Sequence, residues 1–351
     1  MNCLMKLKSI NSKILKDIIR NCTTVQGAFT VESPIFHDVY QNQSILKVAV
    51  IGMPNAGKST FINHLIDRKV CPTSSKVHTT RTRASAIFTE DNTQIIFLDT
   101  PGLVTSRTLK RHHLEKSFVK DSVSSLNECD VIGVIQDVSN AWTRDKLDIK
   151  IINLLEKHPT KSSFLVLNKV DILKSKRKLL DITRLITMNS IDGKPFGTNV
   201  HHNKYDNRGW PNFKEVFMVS SFTGDGLTEV KNYLINSAKP GKWLFPGDVW
   251  SDQTPEKIIT DTVKATLLDF LPQEIPYQME PEMELYEVND EGLINAVVNV
   301  KCTSERVAKL VAGVSDGRLR QITESTQKSL QDVFHHFVRI RIVLRLHKES
   351  K

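Results

Sequence analysis

Apolar residues along the first two-thirds of this chain gather in short unbroken runs: Val48-Ala49-Val50-Ile51, Ile95-Ile96-Phe97-Leu98, Phe164-Leu165-Val166-Leu167 and Val216-Phe217-Met218-Val219. Each has the length of a strand, and segments of helical spacing lie between them. Strands are expected at 46–52, 84–89, 94–98, 131–136, 164–167 and 216–219, and helices at 60–68, 144–157 and 227–238. The pieces 84–89 and 94–98 alternate across Glu90-Asp91-Asn92 and read as a hairpin. Strand and helix in alternation predict an α/β domain with a doubly wound, mostly parallel sheet. After residue 255 the order becomes helix 256–271, strands 283–288 and 293–302, helix 304–312, a glycine turn, helix 319–334 and strand 338–346. That order is an α+β module. Between the two, 240–255 holds Pro240, Gly241, Trp243, Pro246, Gly247 and Trp250, breaks both patterns and reads as a linker.

The first run leads into Gly52-Met53-Pro54-Asn55-Ala56-Gly57-Lys58-Ser59, which fits G-x-x-x-x-G-K-S between a strand and a helix. Phosphate chemistry explains the residue types. Gly52 and Gly57 let backbone N–H groups turn inward, Lys58 neutralises the β- and γ-phosphates, and Ser59 offers a hydroxyl to Mg2+. The following helix aims its positive end at the anion, so Pro54, Asn55, Ala56 and Thr60 also fall within nucleotide reach. Asp99-Thr100-Pro101-Gly102 closes the strand 94–98; Asp99 suits Mg2+ through water and Gly102 frees an N–H for the γ-phosphate. Asn168-Lys169-Val170-Asp171 closes 164–167, where Asp171 can accept from guanine N1–H and the 2-amino group. Ser220-Ser221-Phe222 follows 216–219 and offers backbone N–H groups to guanine O6. Each short stretch is a weak signal alone. In order, each at the carboxyl end of an expected strand, they predict a GTP/GDP site and GTP hydrolysis.

The loop wording GMPNAGKST, the run Val77-His78-Thr79-Thr80-Arg81, DTPG, NKVD and the C-terminal region resemble the Era family, GTPases of bacteria and organelles that bind small-subunit ribosomal RNA. The resemblance covers residues 45 to 351. It implies that 70–83 is the first switch, with Thr79 and Thr80 both catalytic candidates and Thr80 taken as the Mg2+ ligand; the residues alone leave open which threonine closes. Residues 105–123 would be the second switch. Leu103 stands where many GTPases hold a water-orienting glutamine, and in similar GTPases an asparagine at the position of Asn55 holds K+. The plainer reading of Asn55 is a turn residue. Between Leu173 and Glu215 the chain runs longer than the family pattern needs, and 193–211 reads as a surface insertion. The C-terminal order matches a KH-type (type II) RNA-binding domain, whose G-x-x-G loop clamps the nucleic-acid backbone. Here that stretch is Gly313-Val314-Ser315-Asp316-Gly317, with the glycines one position too far apart and Asp316 adding negative charge. Lys309, Arg318 and Arg320 surround it as RNA-binding candidates. Without the resemblance it would read as a helix C-cap.

Net charge of +9 and a pI of 9.2 favour a polyanionic partner. The resemblance makes that partner small-subunit ribosomal RNA and the small ribosomal subunit, with peripheral contact at the mitochondrial inner membrane. No apolar run approaches the ~20 residues of a membrane helix. The five cysteines are scattered and odd in number without a C-x-x-C pair, which suggests a reducing compartment and neither a zinc site nor a disulfide framework. Residues 1–43 begin basic, apolar and acid-poor (Lys6, Lys8, Lys13, Lys16 and Arg20 among Leu4, Leu7, Ile10, Ile14 and Ile18), which reads as a mitochondrial presequence leading to the matrix. The expected organisation is 1–43 targeting segment, 44–239 GTP-binding domain, 240–255 linker and 256–351 KH-type domain. Two rival functions are a P-loop kinase, disfavoured by NKVD, and a non-catalytic guanine-nucleotide-dependent RNA chaperone, which Leu103 keeps open.

Overall fold

The computed structural model describes residues 43–71, 84–99, 125–196, 208–272 and 275–346. Its strands, in chain order, are β1 (Ser44–Gly52), β2 (Ala84–Glu90), β3 (Thr93–Asp99), β4 (Val131–Asp137), β5 (Ser162–Asn168), β6 (Ser190–Ile191), β7 (Lys194–Pro195), β8 (Phe213–Val219) and β9 (Lys239–Pro240), then β10 (Glu280–Val288), β11 (Ile294–Cys302) and β12 (Val338–Leu346). The first sheet has the order β2-β3-β1-β4-β5-β8, with β9 added antiparallel to the start of β1. Apart from the β2–β3 hairpin, neighbours along that order run parallel.

The unbroken apolar runs follow from burial on both faces. Along β1, Val48 and Val50 enter one core while Ala49 and Ile51 enter the other, all fully buried. Helices α1 (Lys58–Leu65) and α4 (Leu227–Asn236) cover the first face through Phe61, Ile62, Val230 and Leu234. Helices α2 (Ile149–Lys157) and α3 (Arg177–Ile186) cover the second through Ile151, Leu155, Leu179 and Ile182. From β1 the chain moves to β3 on one flank and then to β4 on the other. The glycine loop after β1 therefore sits where the strand order reverses, the ligand-binding crevice of such sheets.

Three expectations need correction. The helix expected at 144–157 begins at Ile149, because Asp148 caps it, accepting from the Lys150 N–H at 2.9 Å, while Asn140 holds a turn ahead of it. The helix expected at 60–68 spans Lys58–Leu65, and a turn with Asp67 at φ 54° and the Arg68 N–H on Asn63 O ends it. Third, the expected helices omit one: ahead of the insertion read at 193–211 lies α3, whose Leu179, Ile182 and Ile186 are buried in the second core. Of the stretch 193–211, residues 197–207 lie outside the described residues, as do 1–42 with most of the presequence reading and 100–124 with the second switch.

The linker does not hang free. β9 pairs Lys239 with Ile45 and Pro240 with Ser44, and the Trp243 indole donates to Ser44 O at 3.2 Å. Buried Gln94 accepts from the N–H groups of Leu244 and Phe245 and donates to Phe245 O at 2.9 Å. Farther on, the Ile87 N–H reaches Trp250 O and Asp252 Oδ1 accepts from the Ser85 N–H.

Past it come α5 (Pro255–Phe270), β10, β11, α6 (Glu305–Ala312), α7 (Gly317–Phe334) and β12. Thr254 caps α5 and proline opens its first turn. β11 is the middle strand, antiparallel to β10 and parallel to β12. Its residues alternate between buried and half-buried, because helices cover one face only; Val298 and Val300 pack with Val263, Ile322, Leu330 and Ile340 in a third core. This α-β-β-α-α-β order with a parallel β11–β12 pair is the KH-type arrangement expected above.

The domains also touch directly. The Arg68 guanidinium donates to Val333 O at 3.2 Å and lies 5.4 Å from the Trp250 ring centroid, and Trp250 meets Phe334 edge-on at 5.9 Å. Lys69 pairs with Asp332 at 2.5 Å. Both basic residues meet the carboxyl end of α7, where the helix dipole is negative.

The placement of α3 is testable. Ile182→Ala should cost about 2–5 kcal/mol in a chemical-denaturation curve, as for a core isoleucine. A change within about 0.5 kcal/mol would return the helix to the surface.

Candidate functional site

The loop between β1 and α1 is shaped by two tight positions. Gly57 has φ 95°, and a Cβ there would lie 2.3 Å from Asn168 Nδ2. A Cβ on Gly52 would lie 2.6 Å from Ile135 O on β4. Only glycine fits either place. Lys58, 7% exposed, donates from Nζ to Gly52 O at 3.2 Å and Met53 O at 3.1 Å. Its ammonium is therefore held over the loop it serves. Asn55 is exposed at φ 60°, Ala56 is buried, and Pro54, Ser59 and Thr60 are half-buried.

A single buried amide ties this loop to the two segments expected to read the base. Asn168 donates from Nδ2 to Ala56 O at 2.8 Å, and its Oδ1 accepts from the Lys169 N–H at 2.8 Å and the Ser221 N–H at 3.0 Å. Lys169, at φ 67°, reaches back with Nζ to Asn55 O at 2.7 Å and to Asp137 Oδ2 at 2.6 Å. Asp171 is exposed on the single 3-10 turn Val170–Ile172, beside this knot. Ser220 and Ser221 are buried, whereas Phe222 is 84% exposed.

Most of the loop's own donors are spoken for. The N–H of Ser220 goes to Asp225 O, that of Ser221 to Asn168 Oδ1, that of Thr223 to Ser220 Oγ and that of Gly224 to Ser220 O. Among the described residues, the Phe222 N–H alone of this run has no partner. The sequence offered these N–H groups as a set; the fold leaves one.

Asp99 ends β3 in register with Val50, two residues before Gly52. Ser59 lies in the first turn of α1 and Asp99 closes β3, the two positions from which hard oxygen donors are expected for Mg2+; the Asp99 side chain lies outside the described residues. Thr79, Thr80, Gly102 and Leu103 lie outside the described residues.

The nucleotide-binding part of the chain, residues 47–169, matches the family model described as 50S ribosome-binding GTPase. A protein of Salmo salar named "GTPase Era, mitochondrial" is 37% identical, the alignment covering 88% of this chain and 78% of that protein. A Danio rerio protein of the same name is 38% identical over 89% of this chain and 77% of its own length. The chain belongs to the Era family of GTPases. Its fold agrees with a solved Era bound to MgGDPNP and nucleotides 1506–1542 of 16S ribosomal RNA, at a TM-score of 0.70, 25% identity, and coverage of 88% of this chain and 95% of that one. As an Era-family GTPase the protein is a GTP-hydrolysing enzyme, and the kinase alternative falls away.

In the KH-type domain of this Era-family protein, the glycine loop departs from a plain cap. Gly313 has φ 76°, and a Cβ there would lie 2.8 Å from Arg318 Cβ. Gly317 is an ordinary helical residue at φ −62° with no atom within 4 Å of an added Cβ. Ser315 (φ 47°) and Asp316 (φ 57°) take the left-handed conformation instead. Arg318 Nη1 donates to Leu310 O at 2.5 Å, which satisfies a carbonyl at the end of α6. Lys309 pairs with Glu305 and Arg320 with Glu324, both in exposed helical pairs worth only about 0.3–0.5 kcal/mol. Val314 projects 92% exposed from the loop.

Sequence reasoning named Asn168 for its motif but not for its threefold tie. It missed His64, which contacts Ser221 O at 2.7 Å, and Arg68, Lys69 and Trp250, which hold the domains together. No spacing rule marks such long-range partners. Asn168→Ala should lower stability by about 1–3 kcal/mol and weaken GDP binding in the same variant, since it leaves the Ser221 N–H and Ala56 O without their partner. Denaturation curves and a fluorescent-GDP titration check both; intact GDP affinity would show that the loops hold their places without it.

Proposed function

We propose that this protein is a mitochondrial GTP-hydrolysing switch that binds small-subunit ribosomal RNA and assists assembly of the small ribosomal subunit. One observation carries the reading: the likeness to mitochondrial Era runs through both domains, not the nucleotide-binding part alone. The solved Era that combines MgGDPNP with 16S ribosomal RNA supports the pairing of the two ligands.

The proposed chemistry is positioning and charge stabilisation around GTP. Lys58, already fixed on two loop carbonyls, neutralises charge on the β- and γ-phosphates without reorganising. Gly52, Pro54, Ala56, Gly57 and Thr60 surround the phosphates, and α1 aims its positive end at them. Asn168 and Lys169 hold the base-reading segments while Asp171 and the loop Ser220–Phe222 read guanine. Ser59, Asp99 and Thr80 would hold Mg2+, which supplies charge neutralisation at the phosphate oxygens. Thr79, Thr80 and Gly102 would close over the γ-phosphate.

Asn55 would hold K+, and its exposed position on a loop pinned by Lys169 supports that reading. Hydrolysis should then run faster in potassium than in sodium buffer, and Asn55→Ala should remove the difference. Equal rates of the parent protein in the two salts would sink the ion role.

For RNA, Gly313, Gly317, Arg318, Arg320 and Lys309 form the proposed contact, with Arg318 acting largely by shaping the loop. Residues 301–351 hold eleven Lys or Arg against five Asp or Glu, so the surroundings are basic. Asp316→Lys should tighten, and Gly313→Asp weaken, binding of a single-stranded rRNA fragment to the full chain, by roughly threefold or more at low salt. If neither moves the affinity, RNA binds elsewhere.

We place the protein in the matrix, where an organellar ribosome would need it, with no more than peripheral contact at the inner membrane. No helix among the described residues is long and apolar enough to cross a membrane. Retention in the membrane pellet after alkaline extraction would contradict this.

A further inference from the structure

We infer that His64 is a positioning residue for guanine recognition: by holding the Ser221 carbonyl, it aims the Phe222 N–H at the base. The inference rests on the reading that Ser220–Phe222 and Asp171 read guanine, and it adds to that reading the part that sets the donor's direction.

His64 stands on α1, six residues after Lys58, and its Nδ1 lies 2.7 Å from Ser221 O. A carbonyl oxygen only accepts, so Nδ1 carries the proton and donates. The ring's other side faces Gly224, where an added Cβ would come 3.2 Å from Nε2 at a backbone φ of +90°. The imidazole is thus seated between two points of the same loop.

Peptide geometry turns that contact into an aiming device. The Ser221 carbonyl and the Phe222 N–H belong to one planar trans peptide and point in opposite directions. Anchoring the carbonyl on α1 turns the N–H away from α1. The preceding peptide is fixed as well, because the Ser221 N–H is held by Asn168 Oδ1 at 3.0 Å. The loop N–H groups on either side are satisfied within the protein. The one donor left for a ligand is therefore the one whose direction His64 sets. The Ser221 hydroxyl cannot substitute: its oxygen is buried and has no hydrogen-bond partner among the described residues.

The same helix carries Lys58 at its start, so the phosphate end and the base end of the site share one rigid mount. His64 itself is exposed, beside a cleft of about 500 Å³ between α1, Phe222 and the end of α7, so its replacement leaves the cores intact.

The test compares GDP with 6-thio-GDP, which keeps N1–H and the 2-amino group but offers sulfur, a weaker acceptor, in place of O6. The full chain is titrated as parent, His64→Ala and His64→Asn; asparagine places an N–H close to the position of Nδ1. His64→Ala should bind GDP about tenfold more weakly, with a smaller preference for GDP over 6-thio-GDP, and His64→Asn should recover both within about threefold. Unchanged GDP affinity in His64→Ala overturns the inference. So does an equal loss for both nucleotides with the preference intact, which would make His64 a plain structural prop. Asp171→Asn, assayed in parallel with GTP, XTP and ATP, tests the underlying reading: an unchanged ranking there removes it, whereas a relaxed ranking with an inert His64→Ala removes only the role of His64.

Discussion

The buried side-chain amide of Asn168 is the constraint on which the nucleotide site depends. It has one donor group on the loop after β1 and one acceptor shared between its own strand end and the loop Ser220–Phe222. These three segments come from widely separated parts of the chain. An amide is suited to the task because it donates and accepts from one rigid plane, which a carboxylate or an ammonium group cannot do. The tie also explains the tightness at Gly57: the amide lies where a side chain on that residue would stand. The glycine loop, the end of β5 and the loop Ser220–Phe222 are therefore one packed object.

The two domains are joined by different means. The linker is paired or hydrogen-bonded to β1, β2 and β3 from Lys239 through Asp252, so it belongs mechanically to the first sheet. The contact between the turn after α1 and the end of α7 is small. Its ion pair of Lys69 with Asp332 is exposed and of little weight, whereas Arg68 against Trp250 and Phe334 combines a helix-end hydrogen bond with aromatic packing. The linker is thus the firmer of the two connections and the contact after α1 the lighter.

What the sequence made legible was whatever chemistry or burial forces into a short local pattern. Phosphate loops need glycines at fixed spacing, and strands covered on both faces need unbroken apolar runs, so the P-loop, NKVD and the sheet could be read directly. The KH-type order was legible because β11 alternates throughout and β12 over its first half. Errors came where local pattern and tertiary context diverged. The helical spacing before Ile149 was real in composition but cut short by the cap at Asp148. Leu179, Ile182 and Ile186 carried a helical stripe within a stretch judged by its length. Gly317 was matched as half of a clamp, yet its backbone is ordinary and the unusual conformations fall on Ser315 and Asp316. Contacts such as His64 with Ser221, 157 positions apart, leave no trace in spacing.

The place of β1 in the sheet has a mechanical consequence. It is the first strand, yet it is flanked by β3 and β4 and runs parallel to both, with β9 closing its start. A pull on the chain just ahead of Ser44, directed along the strand, loads both ladders in shear, so many bonds share the force at once. Peeling from an edge would break them singly. β1 also ends in the phosphate loop, so a bound nucleotide sits at the far end of the strand being pulled. Traction from the amino-terminal side therefore meets the fold at a strand held on both flanks.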